Sequence, residues 1–247
     1  MFDTVALTLV ALTFLLAGGV KGAIGLGLPT VSLALLTVTV GLQPAMALLL
    51  VPSFVTNVWQ ASVGGNGRAI IARIWPLLAV ATVTVWIGAA ALTRVHVSLL
   101  SALLGAVIAL YSLFSLTHAQ ISIPRRWEGW AGPAAGLANG ILTGMTGSFV
   151  FPGVLYLQAI GLPRDMLIQA MGMLFTVSTF ALGVSLGGLN LLTLELGTIS
   201  TGAVLPALIG MMLGRGLRRR MSETLFQRVF FSALLVLGLY IMARSLL

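Results

Sequence analysis

Cysteine is absent from these 247 residues. Disulfides, thiolate metal sites and thiol redox chemistry are therefore excluded. Charge is nearly as scarce, at 7% of the chain, against roughly 25% in an average soluble protein. Only five carboxylates, two histidines and one lysine occur. Asp165 and Glu195 sit near predicted helix ends, and Asp165 neighbours Arg164, so neither reads as a buried proton relay. A hydroxyl nucleophile needs a base within hydrogen-bond reach. The only histidines, His96 and His118, also fall near helix ends. No nucleophile-elbow pattern is spelled between Gly144 and Ser148. An intramembrane enzyme is thus disfavoured, and no cofactor is expected. The net charge of +8 comes almost wholly from arginine. No loop is long enough to form a basic face, so nucleic acid is not an expected partner. Arginines in short loops of an apolar chain report orientation instead.

What is abundant is apolar: 59% of residues, with a mean hydropathy of +1.11. The solvent is therefore lipid. A spanning helix needs about 20 mainly apolar residues. Continuous candidates are roughly 44–63, 74–93, 97–117, 166–187, 189–213 and 224–243. Two longer stretches, roughly 4–41 and 133–160, are each interrupted by glycines. No positive charge precedes Lys21, so the first segment is read as retained rather than as a signal peptide.

The interruptions match. Gly18, Gly22 and Gly25 fall on Gly140, Gly144 and Gly147 at one constant offset, and Pro29 and Pro152 follow. The pairs Gly41-Leu42 and Gly161-Leu162, Met46 and Met166, Gly64-Gly65 and Gly187-Gly188, and Leu110-Tyr111 and Leu239-Tyr240 keep the same order. The chain is read as all-α and polytopic, built from two four-segment repeats. Each repeat holds one glycine-broken segment plus three transmembrane helices. The first repeat spans 1–117, a linker 118–132 and the second repeat 133–247.

Loop charge separates two topologies. If both broken segments cross fully, the arginines divide seven against five. If both are re-entrant hairpins, ten share one face, leaving Arg94 and Arg244 on the other. The ten-against-two split is the stronger positive-inside signal. Each half then spans an odd number of times, and the repeats are inverted, a recurring transporter architecture.

Helix-breaking sequence at membrane depth is tolerated where it packs in protein or lines a cavity. Matching breaks in two halves point to a transporter's binding site. Lys21, in the first motif, is the sharpest candidate, because an intramembrane cation usually faces a cavity and its natural client is an anion. Snorkelling to an interface is the alternative. Gly22, Gly25 and Gly27 would expose backbone amides ahead of a half-helix beginning near Leu28. Gly144 and Gly147 would do the same ahead of one beginning near Ser148, with Ser148 as N-cap. Such N-termini hold anions through free N–H groups. The same glycines also have the small-xxx-small spacing of helix contacts. Thr143, Thr146 and Ser148 offer hydroxyls to an oxyanion, or bond back to their own helix. Asn57 and Gln60 share one helix face, and Gln169 occupies the related helix of the second half. These amides either bind substrate or join helices. The five tryptophans are read as interface anchors or packing.

These residues carry a resemblance. Gly19-Val20-Lys21-Gly22 followed by Gly25-Leu26-Gly27, Pro44-Ala45 leading into Leu50-Val51-Pro52-Ser53, Asn57-Val58-Trp59-Gln60 and the second motif ending at Pro152 resemble the TauE/SafE sulfite-exporter family. That family is also called the toluene sulfonate uptake permeases. The second motif departs from it: Ser148 and Phe149 stand where a glycine pair often follows the third glycine. The resemblance covers nearly the whole chain. It implies a multi-pass transporter of the bacterial inner membrane that moves sulfite, organosulfonates or related small anions, often outward.

The expected function is secondary transport of a small anion by alternating access, with the anion held at the repeat interface. An anion channel, an uptake permease for another small organic anion, and a purely structural membrane protein are the alternatives. The expected partners are that anion, the lipid bilayer and a second copy in a homodimer.

Overall fold

The computed structural model describes residues 2–117, 121–218 and 222–247. His118, Arg219 and Arg220 lie outside the described residues. The described chain is helical throughout, as its composition requires. With no water at membrane depth, a helix is the element that satisfies every backbone N–H and C=O internally.

The first glycine-broken segment forms α1 (Thr4–Ile24) and α2 (Leu28–Val40). Then come α3 (Leu42–Leu48), α4 (Leu50–Ser62), α5 (Gly67–Ala89) with a 3-10 turn at Ala90–Thr93, and α6 (Val97–Leu116). The second half holds α7 (Arg125–Thr146), α8 (Gly153–Ala159), α9 (Arg164–Gly188), α10 (Leu194–Gly202), α11 (Val204–Arg218) and α12 (Glu223–Leu246). Six stretches among the described residues are long and apolar enough to cross a membrane, or seven if the bent α3–α4 pair counts as one. α7 begins at Arg125, inside the stretch read as linker.

The expected continuous span 44–63 is bent, whereas 189–213 keeps one membrane-length stretch, Leu194–Gly216, with a one-residue interruption. Segment 44–63 bends by 44° between α3 and α4. Pro52 has no N–H, so it cannot bond the Leu48 carbonyl four residues back. Ser200 replaces it: its hydroxyl donates to Leu48 O at 2.8 Å and accepts from Val51 N–H at 3.2 Å. Segment 189–213 divides at Ala203, three residues before Pro206, as the first divides three residues before Pro52.

The chain forms two compact units, neither of which is a sequence half. Unit 1 comprises Met1–Pro52, His96–His118 and Leu189–Leu247. In it α1 packs on α11 and α2, and α6 packs on α12. Unit 2 comprises Ser53–Val95 and Ala119–Gly188. In it α5 packs on α7 and α9.

An ion pair fastens unit 2. Arg73 on α5 grips Glu128 in the first turn of α7 through two bonds, Nε–Oε2 at 2.9 Å and Nη2–Oε1 at 2.6 Å. Nη2 also donates to the Ile160 carbonyl after α8 at 2.8 Å.

Candidate functional site at the helix breaks

In unit 1, α1 ends at Gly25, whose N–H donates to the Lys21 carbonyl at 2.8 Å. Gly25 has φ 80° and ψ 0°, a left-handed turn that a side chain disfavours. Two residues on, Gly27 at φ 108° starts α2, with Pro29 in its first turn. Proline is tolerated there because first-turn amides have no intrahelical partner. A Cβ on Gly27 would sit 2.8 Å from Val20 Cγ1, so the chain passes close against α1. Lys21 lies one turn before the cap and is only 4% exposed.

The remaining glycines of this motif hold helices together. A Cβ at Gly18 would strike the Ala207 carbonyl of α11, and one at Gly22 the Met211 carbonyl. Gly210 and Gly214 press reciprocally on Leu15 and Gly19.

Unit 2 repeats the cap. α7 ends at Gly147, φ 76° and ψ −1°, with its N–H on the Thr143 carbonyl at 2.7 Å. Gly140 and Gly144 press on the Ala81 and Val85 carbonyls of α5, and Gly88 presses back on Ile141.

Beyond the cap the two breaks diverge. The helix expected near Ser148 begins at Gly153, with Pro152 rather than Ser148 in the N-cap position. The physical reason is Pro152: the residue before a proline is disfavoured in the α region, which keeps Phe151 out of helix, so α8 starts beyond it. Ser148 is held by backbone instead. Its N–H donates to Thr146 Oγ1 at 3.2 Å, and its carbonyl accepts from Thr143 Oγ1 at 3.2 Å. The two threonine hydroxyls also donate to their own helix, Thr143 to Asn139 O and Thr146 to Leu142 O, each at 2.7 Å.

Asn139 was passed over by the sequence reading. It is fully buried, and its Oδ1 accepts the Gly153 N–H that opens α8, at 3.1 Å. Its Nδ2 is buried with no hydrogen-bond partner among the described residues. The rule that singled out Asn57 and Gln60, an amide inside an apolar segment, applies equally to Asn139.

The other amides sit at the α4–α9 contact of unit 2. Gln60 Nε2 donates to Ile168 O at 2.8 Å, and Gln169 Nε2 donates to Ala61 O at 2.9 Å. Gln169 Oε1 accepts from Asn66 N–H at 3.2 Å. Asn57 is fully buried on α4, one turn before Gln60. The structure therefore brings together Lys21, Gly22, Gly25 and Gly27 in unit 1. In unit 2 it brings together Thr143, Gly144, Thr146, Gly147 and Ser148, and, as a separate group, Gln60 and Gln169. Among the described residues, no cluster of three or more His, Asp or Glu side chains could hold a metal.

The helix break that holds Lys21 is formed by one of the motifs that carry the sequence resemblance, Gly19-Val20-Lys21-Gly22 followed by Gly25-Leu26-Gly27. The family model described as sulfite exporter TauE/SafE matches residues 10–241. The chain belongs to the TauE/SafE family. No curated protein and no solved structure matches it. As a TauE/SafE chain with six apolar membrane-length helices it is a multi-pass membrane protein of a transporter family, with the bilayer and a small anion as its implied partners.

Proposed function

We propose that this chain is a secondary transporter that exports sulfite or a small organosulfonate across a bacterial inner membrane. The observation that carries this reading is Lys21. It is buried in the last turn of α1, at a break that opens a new helix N-terminus three residues past the cap. A buried cation next to a helix N-terminus is suited to a compact oxyanion and unsuited to a neutral or cationic cargo. The cargo is an anion that Lys21 contacts, and transport alternates access to it.

The repeats are read as inverted. In support, α1 meets α11 through the same glycine contacts by which α7 meets α5. In further support, Gly105 of α6 and Gly238 of α12 each press on the other's carbonyl, as a self-related pair would.

The test is flux in proteoliposomes. Radiolabelled sulfite and sulfoacetate should enter with saturation, and Lys21→Gln should lower flux at least 100-fold while the protein still elutes as a folded species. Full flux in that variant would remove Lys21 from the mechanism. Flux that rises linearly with concentration would make the protein a channel.

A further inference from the structure

A polar cavity lies in unit 1, and its lining includes no residue of either helix break. It measures about 330 Å³ and lies where the end of α2 and the start of α3 meet the first turns of α6 and the last turns of α12. Its polar lining is Thr37, Thr39, Ser98, Ser101, Arg244 and Ser245. No lining residue is acidic.

We propose that this cavity binds one oxyanion group. The cation is Arg244. Its side chain is exposed, and one of its five N–H donors is used, from Nη1 to the Val38 carbonyl at 3.0 Å, which leaves the rest of the fork available. No carboxylate pairs with Arg244 among the described residues. Thr37 Oγ1 is buried with no hydrogen-bond partner, a state that costs free energy unless a ligand or water satisfies it. Ser101, 8% exposed, is the most buried polar residue of the lining. The first-turn amides of α6 receive no side-chain cap, and the positive end of this 20-residue helix lies at the same cavity. A guanidinium, several hydroxyls and a helix N-terminus with no acid present favour a sulfur or phosphorus oxyanion. The volume admits such a group with part of its hydration shell, since a liquid water occupies about 30 Å³.

The place in the fold limits the source. Arg244 ends one membrane-length helix and Val97 begins another, so the cavity lies at headgroup depth. Two suppliers reach that depth: a free anion on its way to or from the transport site, or the phosphodiester of a lipid headgroup. The free-anion source rests on the transport reading; the cavity's affinity for an oxyanion does not.

The absence of cysteine provides the test. Ser98→Cys places a single thiol at the exposed rim of the cavity. Its modification rate by N-ethylmaleimide, a neutral reagent, is measured in phosphatidylcholine nanodiscs with and without 10 mM sulfate. It is then measured in phosphatidylglycerol nanodiscs without sulfate. Slowing of at least 5-fold by sulfate, lost on adding Arg244→Gln and reduced 2- to 3-fold by Ser101→Ala, identifies a free-oxyanion site. Slowing in phosphatidylglycerol alone, with the same two dependences, identifies a headgroup site. Equal rates under all conditions overturn the proposal, as does protection that survives both substitutions. Ser101→Ala removes one hydroxyl and no helix contact, so it remains readable if Arg244→Gln folds poorly. Protection is read without flux. A protein that transports nothing yet protects its thiol refutes the transport reading alone, and the converse refutes the cavity alone.

Discussion

The two broken helices share a cap and differ in chemistry. α1 and α7 both end on a left-handed glycine bonded four residues back, to Lys21 and to Thr143. Both press two upstream glycines onto the backbone of a partner helix. Past the cap, unit 1 presents a buried cation and resumes within three residues as a 13-residue helix. Unit 2 presents hydroxyls already bonded to its own backbone, and resumes after six residues as a 7-residue helix held by Asn139. The shared features are the ones that hold helices together and end them. The features that differ are the ones a ligand would meet. Under the proposed function, the first break would meet the anion, while the Thr143 and Thr146 hydroxyls of the second are bonded to backbone.

The largest effects should come from what the units share. Gly22→Val and Gly144→Val place a side chain where a carbonyl of Met211 or Val85 already lies. Backbone cannot yield as a side chain can, so each should cost about 3 kcal/mol or more, the upper end of overpacking. Folded yield by fluorescence-detected size exclusion should fall severely for both. Gly197→Ala on α10, which meets nothing within 4 Å, is the control. It should be neutral or stabilising by up to about 1 kcal/mol. A well-folded Gly144→Val beside a collapsed Gly22→Val would break the equivalence of the two contacts.

Function should divide them. Lys21→Gln is expected to abolish flux, whereas Thr143→Val, at the matching position, should change it less than about 3-fold, since its hydroxyl is already committed to its own helix. Comparable loss in both variants would mean that the hydroxyls of unit 2 also handle the anion.

The starts of the broken helices offer a third contrast. In unit 2, Glu128 of α7 takes a two-bonded grip from Arg73. In unit 1, the chain just before α1 is tied to α10 by an exposed bond from Phe2 N–H to Glu195 Oε1 at 2.9 Å. Glu128→Gln should cost about 1.5–3 kcal/mol, the range for hydrogen bonds to charged groups. Glu195→Gln should cost at most about 0.5 kcal/mol, as for surface changes generally. Thermal midpoints in one detergent give both numbers. Equal losses would show that the unit 1 tie matters more than its exposure suggests.

Much of this was legible in the sequence because lipid restricts the options. Scarce charge and 59% apolar content lead directly to helices. The glycine spacing marked both caps, since a left-handed residue favours glycine wherever it occurs. A bend from Pro52 was legible in the sequence, but its place at Leu49 and the interruption at Ala203 were not. A proline inside an apolar run either kinks a helix or ends it, and the outcome at Pro52 depends on Ser200, about 150 residues away. The start of α8 was misplaced because Ser148 has the chemistry of an N-cap, while its backbone N–H and C=O are bonded to the Thr146 and Thr143 hydroxyls. Gln60 and Gln169 were legible as inward-facing amides. That they clip α4 to α9 through each other's neighbouring carbonyls depends on a register that one sequence does not display.

The smallest expected difference between the two breaks is the sharpest test of equivalence. Gly25→Ala and Gly147→Ala each put a methyl on a residue at nearly the same φ, 80° and 76°. A left-handed non-glycine residue costs about 1–2 kcal/mol. The backbone term is therefore the same in both, and any difference must come from what surrounds the cap. Past Gly25 the chain turns at once into α2 through Gly27, a second left-handed glycine pressed on Val20. Past Gly147 it is bound by the Thr143 and Thr146 hydroxyls. Losses matching within about 0.5 kcal/mol, the usual limit of additivity for independent sites, would mean that the caps are interchangeable and that Lys21 alone makes unit 1 chemically distinct. A clearly larger loss at Gly25 would mean that the cap itself is tuned to hold Lys21 in place. Gly25→Ala should then also lower sulfite flux beyond what its stability loss explains, and Gly147→Ala should not.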